Sequence, residues 1–510
     1  MVLKLVVSNS SLLTAKYGAR DRDVRNAVDD LIKADQKRGI DTRFVLLDDA
    51  SSLSGTNASP VTDGSNGSEV KTCIDAVYRA LEPDYIAILG SVDVVPHQSL
   101  SNPLHGQGDE DATVPSDLPY ACEHQASSDP ADFLAPTRVV GRVPDITGSG
   151  DPGYLVGLLK VCAGWQGRPR DAYKDCFGLT AKVWEQSTTL SLQKIIGSAD
   201  DLETSPAAGP HWAGSQIERP LHFINCHGAS ADPHFYGEHS SNYPIAHEAG
   251  HIRGMVQDGT VVAAECCYGG ELYDPTLAGG NIGICSTYLA GGAYAFFGST
   301  TIAYGPADYN SNADLLCQYF LSSVLTGSST GRATLEARQQ YIRAAPTVEP
   351  TDLKTLAQFN LLGDPSVHPV RSAQTLAKGA PHTSSVALRA RRRSLLAEGL
   401  ATRQATSVAR PVPSAGPDPA LAARLAAIAD EPRLAASDIS TFAVEEPPVT
   451  ASMKALWAPR ISSFSDQRIH VGVVPPRPGA TGVARTAGIV VVVAHEEGGE
   501  IVSWKKLYAR

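Results

Sequence analysis

The sequence predicts an α/β fold over residues 3 to about 370, a mostly parallel sheet flanked by helices, with a small β-rich module added at 441–510. Three observations predict it. Short apolar runs alternate with stretches of helical length, the rhythm of strand–helix–strand units. The runs are unbroken rather than alternating polar and apolar, as strands covered on both faces require. Beyond residue 370 the rhythm stops, and strand-like runs return only near 469.

Taken in order, strands are expected at LKLVVS (3–8), RFVLLD (43–48), DYIAILG (84–90), RVVGRVP (138–144), FGLTAKV (177–183), LHFINC (221–226), TVVAAEC (260–266) and AYAFFGS (293–299). Helical spacing of apolar residues places helices at 21–37, 68–81, 151–165, 187–198, 245–257, 307–325 and 331–344. The loops 51–69 and 97–136, rich in Ser, Gly, Asp and Pro, are long for a compact α/β unit and so are either substrate-facing or mobile. The expected division is an N-terminal α/β subdomain (1–145), a second α/β subdomain (146–370), a linker (371–440) and the β-rich module (441–510). The linker has 18 Ala and 9 Arg but no aromatic residue, too little apolar bulk for a core. In the module, EEGGE (496–500) between two apolar runs reads as a hairpin corner.

Composition narrows the function. With 43 Lys plus Arg against 54 Asp plus Glu, the formal charge of −11 argues against a nucleic-acid or anionic-membrane binder and favours a peptide or small partner. No run reaches the roughly 18 apolar residues of a membrane span. The opening MVLKLVVSNSS lacks the longer apolar stretch and cleavage site of a secretory signal, so a cytoplasmic location is expected. Nine cysteines, an odd number without a CxxC pair, do not suggest a disulfide scaffold or a zinc or redox pair.

Parallel sheets present chemistry just past the carboxyl ends of their strands. Two runs end in reactive residues: LHFIN in Cys226, His227 and Gly228, and TVVAAE in Cys266, Cys267, Tyr268, Gly269 and Gly270. His227 and Cys267 are 267 − 227 = 40 residues apart, room for one crossover, so the two could meet above neighbouring strands. An imidazole beside a thiol favours the thiolate and can protonate a leaving amine, while N–H groups at a Gly-rich corner can hold an oxyanion. Alternation sends Cys266 and Cys267 to opposite faces, so only one can meet the histidine. The bland alternative is two packed cysteines and a strand-end histidine.

A rival lies in HEAGH (247–251), which fits the HExxH pattern: on a helix His247 and His251 would share a face and bind zinc, with Glu248 as base and Glu271 as a third ligand. Against it, Gly250 weakens a helix, TVVAAEC reads as a strand, and the segment is needed as the crossover between the two strand ends.

The sequence resembles the gingipain family of cysteine peptidases, of the caspase, legumain and separase group, in which one apolar run ends in His-Gly and a second in the nucleophilic Cys. IAILGSVDVVPH (86–97), RVVGRVPDIT (138–147), CYGGELYD (267–274), AYAFFGSTTIAYGP (293–306) and FNLLGDPSV (359–367) carry the likeness in order. The resemblance implies a caspase-like sheet and a cysteine endopeptidase acting through an acyl-enzyme, on protein or peptide substrates. It implies His227 as catalytic histidine, Gly228 as oxyanion N–H donor and Cys267 as nucleophile, because Tyr268, Gly269, Gly270 and Glu271 follow it as the family pattern asks. Glu185 is the nearest match to the acid that supports the histidine, with an exposed helix-start carboxylate as the plainer reading. Cleavage after basic residues, as in the best-known members, would need a pocket carboxylate, for which Asp232 and Glu238 are candidates. No organic cofactor is implied, and a structural calcium is compatible. A regulatory partner would engage the C-terminal module, and Arg389, Arg391, Arg392 and Arg393 would invite self-cleavage between 389 and 410. A non-catalytic interaction protein on the same fold is the remaining alternative.

Overall fold

The computed structural model describes residues 2–106, 108–240, 242–345, 347–371, 397, 406–412, 416–445 and 467–510. All eight apolar runs form strands of one ten-stranded sheet, where their branched side chains are buried from both faces. Helix Asp21–Lys37 follows from apolar residues at helical spacing, with Val24, Ala27, Val28 and Leu31 buried and two aspartates in the first turn facing the positive end of the helix dipole. Helix Gly67–Leu81 starts where the Asn66 side chain accepts the N–H groups of Ser68 and Glu69.

The sheet runs in the order Ile40–Leu46, Val2–Ser8, Tyr85–Leu89, Val140–Val143, Phe359–Leu362, Ala295–Ser299, Val261–Ala264, Leu221–Asn225, Cys176–Ala181, Leu202–Ser205. Every pairing is parallel except that between Ala295–Ser299 and Phe359–Leu362. Two parallel half-sheets therefore run in opposite directions, and the chain closes the first half with a strand drawn from the second. Two strands of this sheet were not expected from the sequence. Leu202–Ser205 lies at the sheet edge and is too polar to stand out, and Phe359–Leu362 spans only four residues.

The expected helix 245–257 is a correction. Ile245–Glu248 is a strand paired with His234–Tyr236, followed by a four-residue helix Ala249–Ile252. Its two central residues are buried, Ala246 and His247 being fixed by contacts to Trp212 and Tyr288, and Gly250 offers little helix propensity.

The second sheet has seven strands in the order Tyr304–Gly305, Glu500–Ala509, Val490–Glu497, Gln467–Val474, Ile439–Glu445, Ser407–Pro411, Thr347–Val348. Both edge strands come from the α/β region, and one face, including Val471, Val491, Val493 and Leu507, shares the core of the neighbouring helices. The predicted corner is present: Gly498 and Gly499, both at positive φ, join the last two strands. The linker expectation for 371–440 is corrected in part. Ser407–Pro411, helix Pro419–Ile428 and the start of Ile439–Glu445 belong to the module, because short apolar side chains such as Val408, Leu421 and Leu425 find burial against a sheet already supplied by the rest of the chain. The Arg389 to Arg393 cluster lies outside the described residues.

Candidate active site

The site grows from two adjacent strand ends. Leu221–Asn225 and Val261–Ala264 pair in parallel with Ile224 opposite Ala264, and the same offset carries His227 opposite Cys267 just beyond the ladder. Their backbones meet closely: a Cβ on Gly228 would fall 1.9 Å from the Cys267 carbonyl oxygen, so only glycine fits. Alternation separates the thiols as expected. Cys266 packs with Cys226 and Ile224 on one side of the sheet, whereas Cys267 packs with Phe223, Ala263 and Ala303 on the other. Directly after Cys267, Tyr268 holds a left-handed backbone at φ 55°, which turns the chain sharply off the strand. Tyr268 is held there by its N–H to the Thr301 carbonyl at 3.0 Å and its hydroxyl to Asp111 at 2.8 Å. Asp111 and Asp109 come from the long 97–136 loop and meet Lys354, so that loop buttresses the nucleophile turn.

The His227 ring is wedged between Trp184, 4.3 Å away, and Tyr243, 5.3 Å away. Its Nε2 lies 2.7 Å from the Glu238 carboxylate, and Nδ1 is buried without a well-formed hydrogen bond beside the Ala509 carbonyl. Burial lowers the pKa of the imidazole, Glu238 opposes that, and the Arg510 guanidinium adds to it. The Cys267 thiol is fully buried, which pushes it up to about 12. Its Sγ accepts the Ala303 N–H at 3.2 Å and makes no hydrogen bond to the imidazole.

Between these groups sits the end of the Glu500–Ala509 strand. Tyr508 and Ala509 pair antiparallel with Gly305 and Tyr304, the Arg510 N–H donates to the Ala303 carbonyl at 3.0 Å, and the Cys267 N–H donates to the Arg510 carbonyl at 2.8 Å. The Arg510 side chain is wholly buried. Its guanidinium lies 2.9 Å from Glu265 and 2.9 Å from Asp314, donates to the Pro306 carbonyl at 2.9 Å, and stacks 4.9 Å over Trp184. A Cβ on Gly305 would lie 2.1 Å from a guanidinium nitrogen, so that glycine opens the slot. Burial and mutual repulsion raise the pKa of Glu265, and burial raises that of Asp314.

The sequence candidates are placed as follows. The backbones of His227 and Gly228 lie beside that of Cys267 at the two strand ends. Glu238 holds the imidazole instead of lining a pocket. Asp232 accepts from His234 and the Tyr236 hydroxyl. Glu185 begins helix Glu185–Ile195 on the surface, 2.5 Å from Lys182. Of the rival set, His247 bonds Tyr288 from a strand, His251 bonds the Trp212 carbonyl, and Glu271 accepts from Ser230 and the Ala231 N–H, so the histidines share no helix face. Among the described residues no group of three or more His, Cys, Asp or Glu side chains is arranged to hold a metal ion. Sequence reading missed Glu265, Asp314, Trp184, Gly305 and Arg510. Only Glu265 left a signal: a carboxylate ending an apolar run, two residues before Cys267 and hence on the same face.

No curated protein matches the chain. A solved structure described as "Structure of Protease" is 12% identical with a TM-score of 0.47, the match covering 99% of this chain and 97% of that one. The sequence profile of Peptidase family C25 matches residues 227–370, the stretch that begins at the strand-end histidine and contains Cys267. Over those residues the chain is similar to peptidase family C25, the gingipain family of cysteine-type peptidases.

Proposed function

We propose that the protein is an endopeptidase that cleaves after arginine through Cys267 and His227. The single observation that carries this reading is the seating of Arg510: its carbonyl oxygen meets the Cys267 N–H while its guanidinium fills an acidic slot one pocket away. A peptide bound in that way would present its scissile carbonyl beside the sulfur. His227 takes the thiol proton, the resulting thiolate attacks the carbonyl carbon, and the developing oxyanion is met by the N–H groups of Cys267 and Gly228. As the tetrahedral intermediate collapses, the C–N bond breaks and His227 protonates the departing amine. Water, deprotonated by His227, then attacks the thioester, and the C–S bond breaks to return the thiolate. Glu238 acts as a positioning residue, holding the ring by Nε2 so that Nδ1 faces the cleft. Glu265 and Asp314 supply the charge-assisted recognition that was expected of Asp232 and Glu238.

The test is a positional peptide-library profile with a Cys267→Ala control. Cleavage after Arg, lost by about 10⁴-fold or more in Cys267→Ala, is expected. Equal cleavage by Cys267→Ala would end the assignment, and a profile indifferent to Arg would end the specificity.

A further inference from the structure

We propose that the strand Glu500–Ala509 with Arg510 is a built-in occupant of the substrate cleft, which holds the peptidase closed until it is displaced. The proposal rests on the peptidase reading above. Residues 508–510 cover several parts of the site at once. Their backbone extends the Tyr304–Gly305 edge as an added antiparallel strand, the way extended peptides are commonly bound. Arg510 fills the acidic slot, its carbonyl takes the Cys267 N–H, and the Ala509 carbonyl lies against His227. A second peptide would find the Tyr304–Gly305 edge, the acidic slot and the Cys267 N–H already taken.

The occupant is also tethered. The strand forms a hairpin with Val490–Glu497, and Lys505 lies 2.6 Å from Glu349 of the α/β region. A tethered group acts at an effective concentration in the millimolar range, so a free substrate competes at a disadvantage. Burial also keeps the sulfur as a neutral thiol, which is the unreactive form.

Occupancy is read without catalysis by titrating benzamidine, a small amidinium probe, into full-length Cys267→Ala protein by calorimetry. No binding is expected while Arg510 is present, and binding is expected in Cys267→Ala/Arg510→Ala. With Cys267 intact, Arg510→Ala should cleave a short arginyl peptide amide with kcat/KM at least about tenfold higher than the unsubstituted chain, chiefly through KM. Added peptide Lys-Leu-Tyr-Ala-Arg should inhibit that variant competitively. Arg510→Gln, which keeps most of the side-chain length, guards against misfolding and should shift both readouts in the same direction. Equal benzamidine binding with and without Arg510, or binding to neither protein, overturns the proposal. Binding gained on removing Arg510 without cleavage by any variant keeps the occupancy and overturns the peptidase reading.

Discussion

Two buried cations, each set between two carboxylates, show how differently one sequence uses the same chemistry. Lys4 rises from an inner strand of the first half-sheet and pairs with Asp35 and with Asp364 at 2.8 Å. Ser366 accepts a further hydrogen bond from Lys4 at 3.2 Å, while Asp364 accepts from the Ser366 hydroxyl and N–H. The partners raise the pKa of Lys4 despite burial, and Asp364 is held below its ordinary value. Arg510 comes from the end of a strand, and its two carboxylates are both raised. The first cluster is satisfied and ties the chain's first strand to the turn after Phe359–Leu362. The second is an acidic slot that favours a removable cation. A buried ion pair is therefore structural or functional according to how its cation is anchored and how fully its carboxylates are otherwise hydrogen-bonded.

The largest expected effect separates the two. Lys4→Met removes the buried cation between Asp35 and Asp364, leaving Asp35 only its partly exposed partner Arg38, and should lower the unfolding free energy by about 3–5 kcal/mol in urea titration. Arg510→Met should lose less than half as much, because water can enter the cleft when the side chain leaves. Equal losses would break the distinction and make Arg510 another structural lysine-like anchor.

Next come the slot carboxylates. Glu265→Gln and Asp314→Asn each remove one charge-assisted contact to a bound guanidinium, worth about 1.5–3 kcal/mol. In the Arg510→Ala background each should cut kcat/KM for an arginyl substrate by roughly 10- to 100-fold while leaving the melting temperature unchanged or raised. A fall in stability with unaltered selectivity would move Glu265 and Asp314 into the structural class with Asp364.

How much of this was legible in the sequence follows the same division. Strands buried on both faces announce themselves as unbroken apolar runs, and the His227 and Cys267 corners stand out because reactive residues end such runs. Strand alternation separates Cys266 from Cys267 before any coordinates. What could not be read is whatever depends on distant segments meeting. Asp314 lies in a helix 49 residues beyond Glu265 and Arg510 almost 200 residues further on, with no local pattern to join them. Glu238 looked like a pocket carboxylate because its loop follows the histidine, but the bridge between His227 and Tyr236 folds that loop back onto the ring. HEAGH failed as a zinc-binding helix because its first two residues, His247 and Glu248, pair as a strand instead.

The smallest expected effect concerns Glu271, which joins the loop after His227 to the turn after Cys267 through Ser230 and the Ala231 N–H. Burial raises its pKa from 4.5 to about 7. The folded protein thus holds this proton more tightly than the unfolded chain, and the associated stability is complete below about pH 4.5 and lost as pH rises through 7. Glu271→Gln fixes a neutral side chain that still accepts a hydrogen bond. At pH 5, where the carboxyl is already largely protonated, wild type and variant should melt together. At pH 8 the variant should melt higher by about 2 °C. A gap of the opposite sign would mean that the two N–H and O–H donors outweigh burial and that Glu271, like Asp364, is a carboxylate the fold prefers charged.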